Sequence, residues 1–115
     1  MTNPKRGEIK ITLGNKTFNG RVTLDVVQRI ETGLDMGVIK LAQATSEGSL
    51  KTSEMTFILT PVIRAGGNNI QEKEVAEALW GAGLAEGIKS ISEIIRIILS
   101  SGGDEGNEEE VAQAL

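Results

Sequence analysis

Apolar and polar residues alternate from residue 8 to residue 22, and this period of two predicts a β-hairpin. The first strand has one apolar face, formed by Ile9, Ile11 and Leu13. Gly14-Asn15 supplies a two-residue turn between the strands, and Phe18 and Val22 belong to the return. Because a lone two-stranded ribbon is only marginally stable in water, we expect its apolar face to pack on the segments that follow.

Helical spacing of apolar residues follows the hairpin and predicts a bundle of about four to five helices. The first three helices are expected over residues 24–34, 38–45 and 52–65. The fourth is expected to begin at about residue 71 or 72 and to run into the glycine-containing stretch 81–87, and the last is expected over residues 84–100. The third is expected to bend at Pro61 and to continue beyond it. Three large apolar residues are expected to face the core from the first, second and fourth helices: Leu24, Ile39 and Trp80.

The last helix carries the strongest periodic signal of the chain. Its main stripe consists of Leu84, Ile88, Ile91, Ile95 and Ile98. Ile94, Ile97 and Leu99 broaden this stripe beyond one buried face, and Gly102-Gly103 is expected to end the helix. The predicted fold is therefore α+β, with an N-terminal hairpin on helices in a single domain of residues 1–101. Residues 102–115 are expected to form a disordered, flexible acidic tail.

The composition limits the chemistry that this chain can perform. It contains no cysteine, histidine or tyrosine, which removes thiolate metal sites and the commonest general base and metal ligand. We therefore expect a protein that is not an enzyme and that needs neither cofactor nor metal. The glycines from Gly81 to Gly87 lack the Lys-Ser/Thr ending of a phosphate-binding loop, so helix packing is favoured there over nucleotide binding.

The net charge of −4 comes from the C-terminal segment. Five of the sixteen acidic residues follow Gly102, where no Lys or Arg occurs, so residues 1–101 carry about +1. A near-neutral body without a basic stripe predicts no nucleic-acid partner. No apolar run reaches the length of about 20 residues that a membrane span needs, and no signal peptide is visible. The expected location is the cytoplasm.

Four apolar residues are candidates for binding a partner. Trp80 lies beside small residues, and tryptophan is frequent at the energetic centres of interfaces. Ile94, Ile97 and Leu99 are the surplus apolar residues of the last helix. The alternative is that all four belong to the core. If they are exposed, they form a docking surface for an apolar partner segment or for a second copy of the chain.

The N-terminal motif resembles a known family. Asn3-Pro4 and Arg6-Gly7-Glu8, followed by the hairpin with Phe18, are similar to the opening of small tail-assembly proteins of gene transfer agents and tailed phages. The resemblance covers about residues 3–100 and includes Arg64-Ala65-Gly66-Gly67. Pro61 and the acidic tail depart from it.

This resemblance implies a tail assembly chaperone of the host cytoplasm. Such a protein keeps the aggregation-prone tape measure protein soluble while the tail tube polymerises around it. The implied partners are thus the tape measure protein and the tail tube protein, and the finished particle generally lacks the chaperone. The same family is sometimes labelled a tail tube protein, which leaves a structural tail component as the alternative.

Overall fold

The computed structural model describes residues 7–104, with side chains up to Ser100. Strands β1 (Glu8–Leu13) and β2 (Lys16–Arg21) pair antiparallel around the two-residue turn that the alternation predicts. Ile11 lies opposite Phe18, and Ile9 lies opposite Gly20. Ile11 and Leu13 are buried, and Ile9 is half-buried. The predicted hairpin and its apolar face are confirmed.

Polar residues pair across the other face of the hairpin. Arg21 forms an ion pair with Glu8 at 2.7 Å, and the Lys10 ammonium donates to the Asn19 side-chain oxygen at 3.1 Å. The hydroxyls of Thr12 and Thr17 lie 3.4 Å apart. These three cross-strand pairs favour the observed register on the solvent side, and each contributes modestly to the stability of the hairpin.

Within residues 7–104, five helices follow the hairpin, so the predicted α+β class is confirmed. Their bounds are α1 Leu24–Leu34, α2 Val38–Glu47, α3 Thr52–Ala65, α4 Glu72–Ala82 and α5 Leu84–Asp104. The Thr23 side chain accepts from the backbone N–H of Val26 and so starts α1. Gly83, with φ of 98°, separates α4 from α5, because few other residues adopt this backbone conformation.

Helices α3 and α5 form the centre of the molecule. Helix α3 packs against α1, α4, α5 and β2, and α5 packs against α2, α3, α4 and β1. Helix α3 is buried on most sides, at Met55, Thr56, Ile58, Leu59, Thr60, Val62 and Ile63. Its buried Thr60 hydroxyl donates to the Thr56 carbonyl at 2.7 Å, so the polar group is satisfied inside the core. The helix continues across Pro61, as predicted.

The C-terminal end of α3 docks tightly on β2. A Cβ atom on Gly66 would collide with the backbone carbonyl of Asn19, and one on Gly20 would lie 2.9 Å from a methyl group of Val62. The Asn68 side-chain amide donates to the carbonyls of Asn19 and Ile63, at 2.7 and 3.0 Å. This α3–β2 junction brings two backbones into contact where side chains would hold them apart.

Leu24 and Ile39 do not face the core as expected. They are 68% and 63% exposed, whereas Val26 and Leu41 are buried in the same helices. Each exposed residue precedes the buried one by two positions, which is a rotation of about 200° around a helix. The other apolar residues expected to face the core from these helices do so: Ile30 is buried, and Val27, Leu34 and Ala42 pack partly buried against the core.

Two helices extend beyond their predicted ends. Helix α2 continues to Glu47, and α5 continues through Gly102-Gly103 to Asp104. A glycine lowers helix stability by about 1 kcal/mol but keeps its backbone donor, so it does not by itself end a helix. The Asn3-Pro4 lead-in and the tail from Glu105 onward lie outside the described residues. The domain boundary at residue 101 stays a prediction.

The α3–β2 junction predicts a strong effect of adding one methyl group. We expect Gly66→Ala to lower the free energy of unfolding by about 2–3 kcal/mol, because the new Cβ meets backbone that cannot rotate away. Gly81→Ala is the matched control: a Cβ there meets nothing within 4 Å, and the residue lies inside α4. It should leave stability unchanged or raise it by up to about 1 kcal/mol. Urea unfolding measures the free energy of unfolding of both variants. Equal changes for the two substitutions would contradict the close backbone contact at the α3–β2 junction.

The placement of α5 predicts opposite behaviour for two of its apolar residues. Ile94→Ala should cost about 2–5 kcal/mol, because this fully buried side chain leaves a cavity. Leu99→Ala should change stability by no more than about 0.5 kcal/mol, because Leu99 is 55% exposed. Thermal and urea unfolding of the two variants check this, and a small effect at Ile94 would refute the packing described.

Candidate functional site

The N-terminal motif closes the open end of the hairpin. Val22 donates its backbone N–H to the Gly7 carbonyl at 2.7 Å. Gly7 has φ of 82°, and a Cβ atom on it would lie 2.6 Å from the Val22 carbonyl oxygen. Its neighbour Glu8 forms the ion pair with Arg21. Gly7 and Glu8 therefore have a structural role that the motif alone did not reveal.

The second motif, Arg64-Ala65-Gly66-Gly67, also serves the fold. Gly66 lies in the α3–β2 junction, and the Arg64 side chain donates to the Ile70 carbonyl at 2.8 Å. That hydrogen bond fixes the turn between α3 and α4. Gly7 and Gly66, one from each motif, therefore lie where two backbone segments are in close contact.

The described side chains form no cluster suited to metal binding. Between residues 7 and 104, no group of three or more acidic residues is close enough to hold a metal ion. The ion pairs of this part lie on the surface, at Glu8–Arg21, Asp25–Arg29 and Glu93–Arg96. Its buried side-chain polar atoms all have hydrogen-bond partners. No buried polar group there is left free to meet a ligand.

The glycines from Gly81 to Gly87 form the corner between α4 and α5, as predicted. Gly87 is buried, and a Cβ atom on it would collide with the Leu79 side chain. Glu86 donates its backbone N–H to the Gly83 carbonyl at 3.1 Å. The close approach of α5 to Leu79 accounts for Gly87 without a phosphate ligand.

The four candidate partner-binding residues do not form one surface. Trp80 is 73% exposed and Leu99 is 55% exposed, whereas Ile97 is partly buried against the core. Ile94 has no exposed surface, so it belongs to the core of this domain. It lies within about 60° of the buried Ile91 around α5, which places it inside the main stripe. Among these residues, Trp80 and Leu99 are available for contact.

Trp80 does not point inward as expected. The buried stripe of α4 is formed by Val75 and Leu79, four positions apart. Trp80 follows Leu79 by one position, a rotation of about 100° that takes it away from this stripe. Leu24 and Ile39 are two further exposed apolar residues that the sequence did not reveal as surface. The exposed large apolar residues Leu24, Ile39, Trp80 and Leu99 lie on four different helices. Trp80 is the largest and the most exposed of them.

A shallow depression lies between the hairpin turn and α4, and Trp80 is not part of its lining. Its lining includes the small or apolar residues Leu13, Ala78, Gly81 and Ala82. Charged side chains complete the lining, among them Lys16, Glu74 and Glu77. In protein–protein interfaces the buried centre is depleted of charged residues, and polar groups lie at the rim. We call the exposed residues of α4, among them Glu74, Glu77, Trp80 and Gly81, together with this depression the α4 surface.

No helix within residues 7–104 is both long enough and apolar enough to cross a bilayer.

Comparison with known proteins identifies the family. The sequence model of the family described as "Phage tail tube protein, GTA-gp10" matches residues 6–101, which is most of the 115-residue chain. Neither a curated protein nor a solved structure matches. The matched range contains the hairpin, the first four helices and most of α5. The chain therefore belongs to this family of phage and gene transfer agent tail proteins.

Proposed function

We propose that this protein is a non-enzymatic tail assembly chaperone. In this role it binds apolar segments of the tape measure protein in the host cytoplasm while the tail is assembled. The observation that carries the proposal is Trp80, a large side chain held 73% exposed on the outer side of α4. Family membership places the protein among phage and gene transfer agent tail proteins, and the α4 surface is what it offers to a partner.

The exposure of Trp80 leaves much apolar area in water. Burial of such area contributes roughly 25 cal/mol per Å², and tryptophan is enriched among the residues that contribute most to protein binding. The next residue is Gly81, where even a Cβ atom would meet nothing within 4 Å. A partner backbone can therefore approach closely beside the indole ring. This combination suits an apolar helix or strand of a client protein.

The charges of the α4 surface favour reversible contact. Glu74 and Glu77 border the depression on the α4 side, and Lys16 borders it on the hairpin side. Charges at the rim of an interface steer association and screen wrong partners more than they add affinity. A chaperone must release its client, so an apolar centre with a solvated rim fits that requirement.

The alternative is a structural tail component, which the family's description as a tail tube protein favours. A tube built from a continuous ring of strands needs pairing at both edges of each subunit's sheet. Here the outer edge of β2 is covered at Asn19 by the end of α3. This asymmetry argues against a ring of hairpins joined edge to edge and supports the chaperone role.

Trp80→Ala tests the α4 surface directly. Co-expressed with the tape measure protein of the same gene cluster, the unaltered chain should raise the amount of soluble tape measure protein and co-purify with it. Trp80→Ala should lower co-purification about tenfold or more, because a buried aromatic contact is lost. The measurement is the ratio of the two proteins after affinity purification.

Leu24→Ala is the matched control for that experiment. Leu24 is 68% exposed on α1, and its truncation removes a large apolar side chain away from the α4 surface. It should leave co-purification unchanged, and both variants should unfold within about 0.5 kcal/mol of the unaltered chain. No gain in tape measure solubility from the unaltered chain would refute the chaperone role.

Mass spectrometry of purified particles separates the two functions. A chaperone should be absent from finished particles or present far below one copy per tail ring. A tube subunit should be as abundant as the other ring-forming proteins. Stoichiometric presence would therefore contradict the proposal and favour the structural component.

A further inference from the structure

The outer edge of β1 carries unpaired backbone groups. The register pairs Ile9 with Gly20 and Ile11 with Phe18. The hydrogen bond from Val22 to Gly7 shows that the pairs at every second position, counted from Gly7, are the hydrogen-bonded ones. In an antiparallel pair, hydrogen-bonded and non-hydrogen-bonded positions alternate. The backbone groups of Glu8, Lys10 and Thr12 therefore point away from β2. Within residues 7–104, no backbone group pairs with them outside the hairpin.

The two edges of the hairpin are not equivalent. On β2 the outward carbonyl of Asn19 accepts from the Asn68 amide at 2.7 Å, and Gly66 lies directly against it. A further strand cannot pair through this position. On β1 the outward positions all belong to exposed residues. An added strand can therefore join this sheet only beside β1.

We propose that β1 pairs with β1 of a second copy of the chain. The two strands run antiparallel about a two-fold axis perpendicular to the sheet and form one four-stranded sheet in the order β2–β1–β1–β2. The two polar faces then lie on the same side, and the helices of both copies lie on the other. An unpaired strand edge is a template for pairing with another chain.

Charge selects the register of this pairing. With Ile9 on the two-fold axis, Glu8 of each copy lies opposite Lys10 of the other, at positions whose outward backbone groups can exchange hydrogen bonds. Moving the axis to Lys10 or to Glu8 would place like charges opposite each other, which is destabilising. In the favoured register Glu8 lies between Arg21 of its own copy and Lys10 of the second copy. Opposite charges thus alternate across the exposed face.

Ile9 gives an independent reason for the same register. Of the three apolar residues on the inner face of β1, Ile11 and Leu13 are buried but Ile9 is only half-buried. With the axis at Ile9, the two Ile9 side chains meet in a non-hydrogen-bonded pair, where side chains approach most closely. The pairing therefore covers the one inner-face residue of β1 that the isolated chain leaves partly in water.

Cysteine cross-linking tests the register. The chain contains no cysteine, so a single substitution reports without background. Ile9→Cys should form an intermolecular disulfide under mild oxidation, because Cα atoms of such a pair lie about 4.5 Å apart. Thr12→Cys is the control: the same register places its two copies about 20 Å apart, so it should not cross-link. Reduced and non-reduced gels, with mass spectrometry, give the yields.

Charge exchange tests the same contact without altering the inner face. In sedimentation equilibrium of the full chain, Lys10→Glu should raise the dimer Kd about tenfold or more, because it places like charges opposite each other twice. The double variant Glu8→Lys with Lys10→Glu should restore dimerisation. Lys16→Glu makes the same change of charge on β2 and should leave Kd unchanged.

Several results would overturn this dimer. A chain that is monomeric up to millimolar concentration would do so, as would equal cross-linking of Ile9→Cys and Thr12→Cys. A dimer that Lys10→Glu leaves intact would show that another surface is used. The inference does not rest on the chaperone role, since these measurements need no tail protein and can fail while client binding succeeds.

Discussion

The contact between the end of α3 and β2 is the constraint on which the rest of the structure depends. A two-stranded sheet is marginal alone, and this one is held by a helix end whose backbone touches the strand directly. Gly66 and Gly20 permit the approach, and the Asn68 amide bonds the strand carbonyl that would otherwise be unpaired. The polar rows on the outer face then set the register, and the inner face completes the core over α5.

The same contact makes the two edges of the hairpin unequal. By covering one edge of the hairpin, it leaves the β1 edge as the place where the sheet can grow, and it blocks a closed ring in which hairpins pair through both edges. The α4 surface borders the hairpin turn at its depression, and it also carries the exposed Trp80. The self-pairing proposed for β1 and the client binding proposed for α4 use different residues, so the proposed dimer would present two client surfaces.

Local patterns predicted the elements well and much of the buried side of each helix, such as Val75, Leu79 and Ile91, but they misplaced individual large apolar residues. The alternation and the two-residue turn depend on neighbouring residues, and both predictions were correct. The directions of Leu24, Ile39 and Trp80 depend on where α3 and α5 lie, which the spacing within one helix does not contain. The role of Gly66 depends on Asn19, far away in the sequence. Ile94 was interpreted as lying beyond the buried face of α5, because the width of an apolar stripe does not reveal how many other elements pack around the helix.

Native-state hydrogen exchange tests the central claim that the α3–β2 junction makes hairpin and helices one unit. The inward amides of the hairpin, such as those of Ile11 and Phe18, should exchange with the same free energy of opening as the buried amides of α3 near Leu59. This result would show that the hairpin opens only when the domain unfolds. Exchange of the hairpin amides through a separate opening, several kcal/mol below that of α3, would contradict the account.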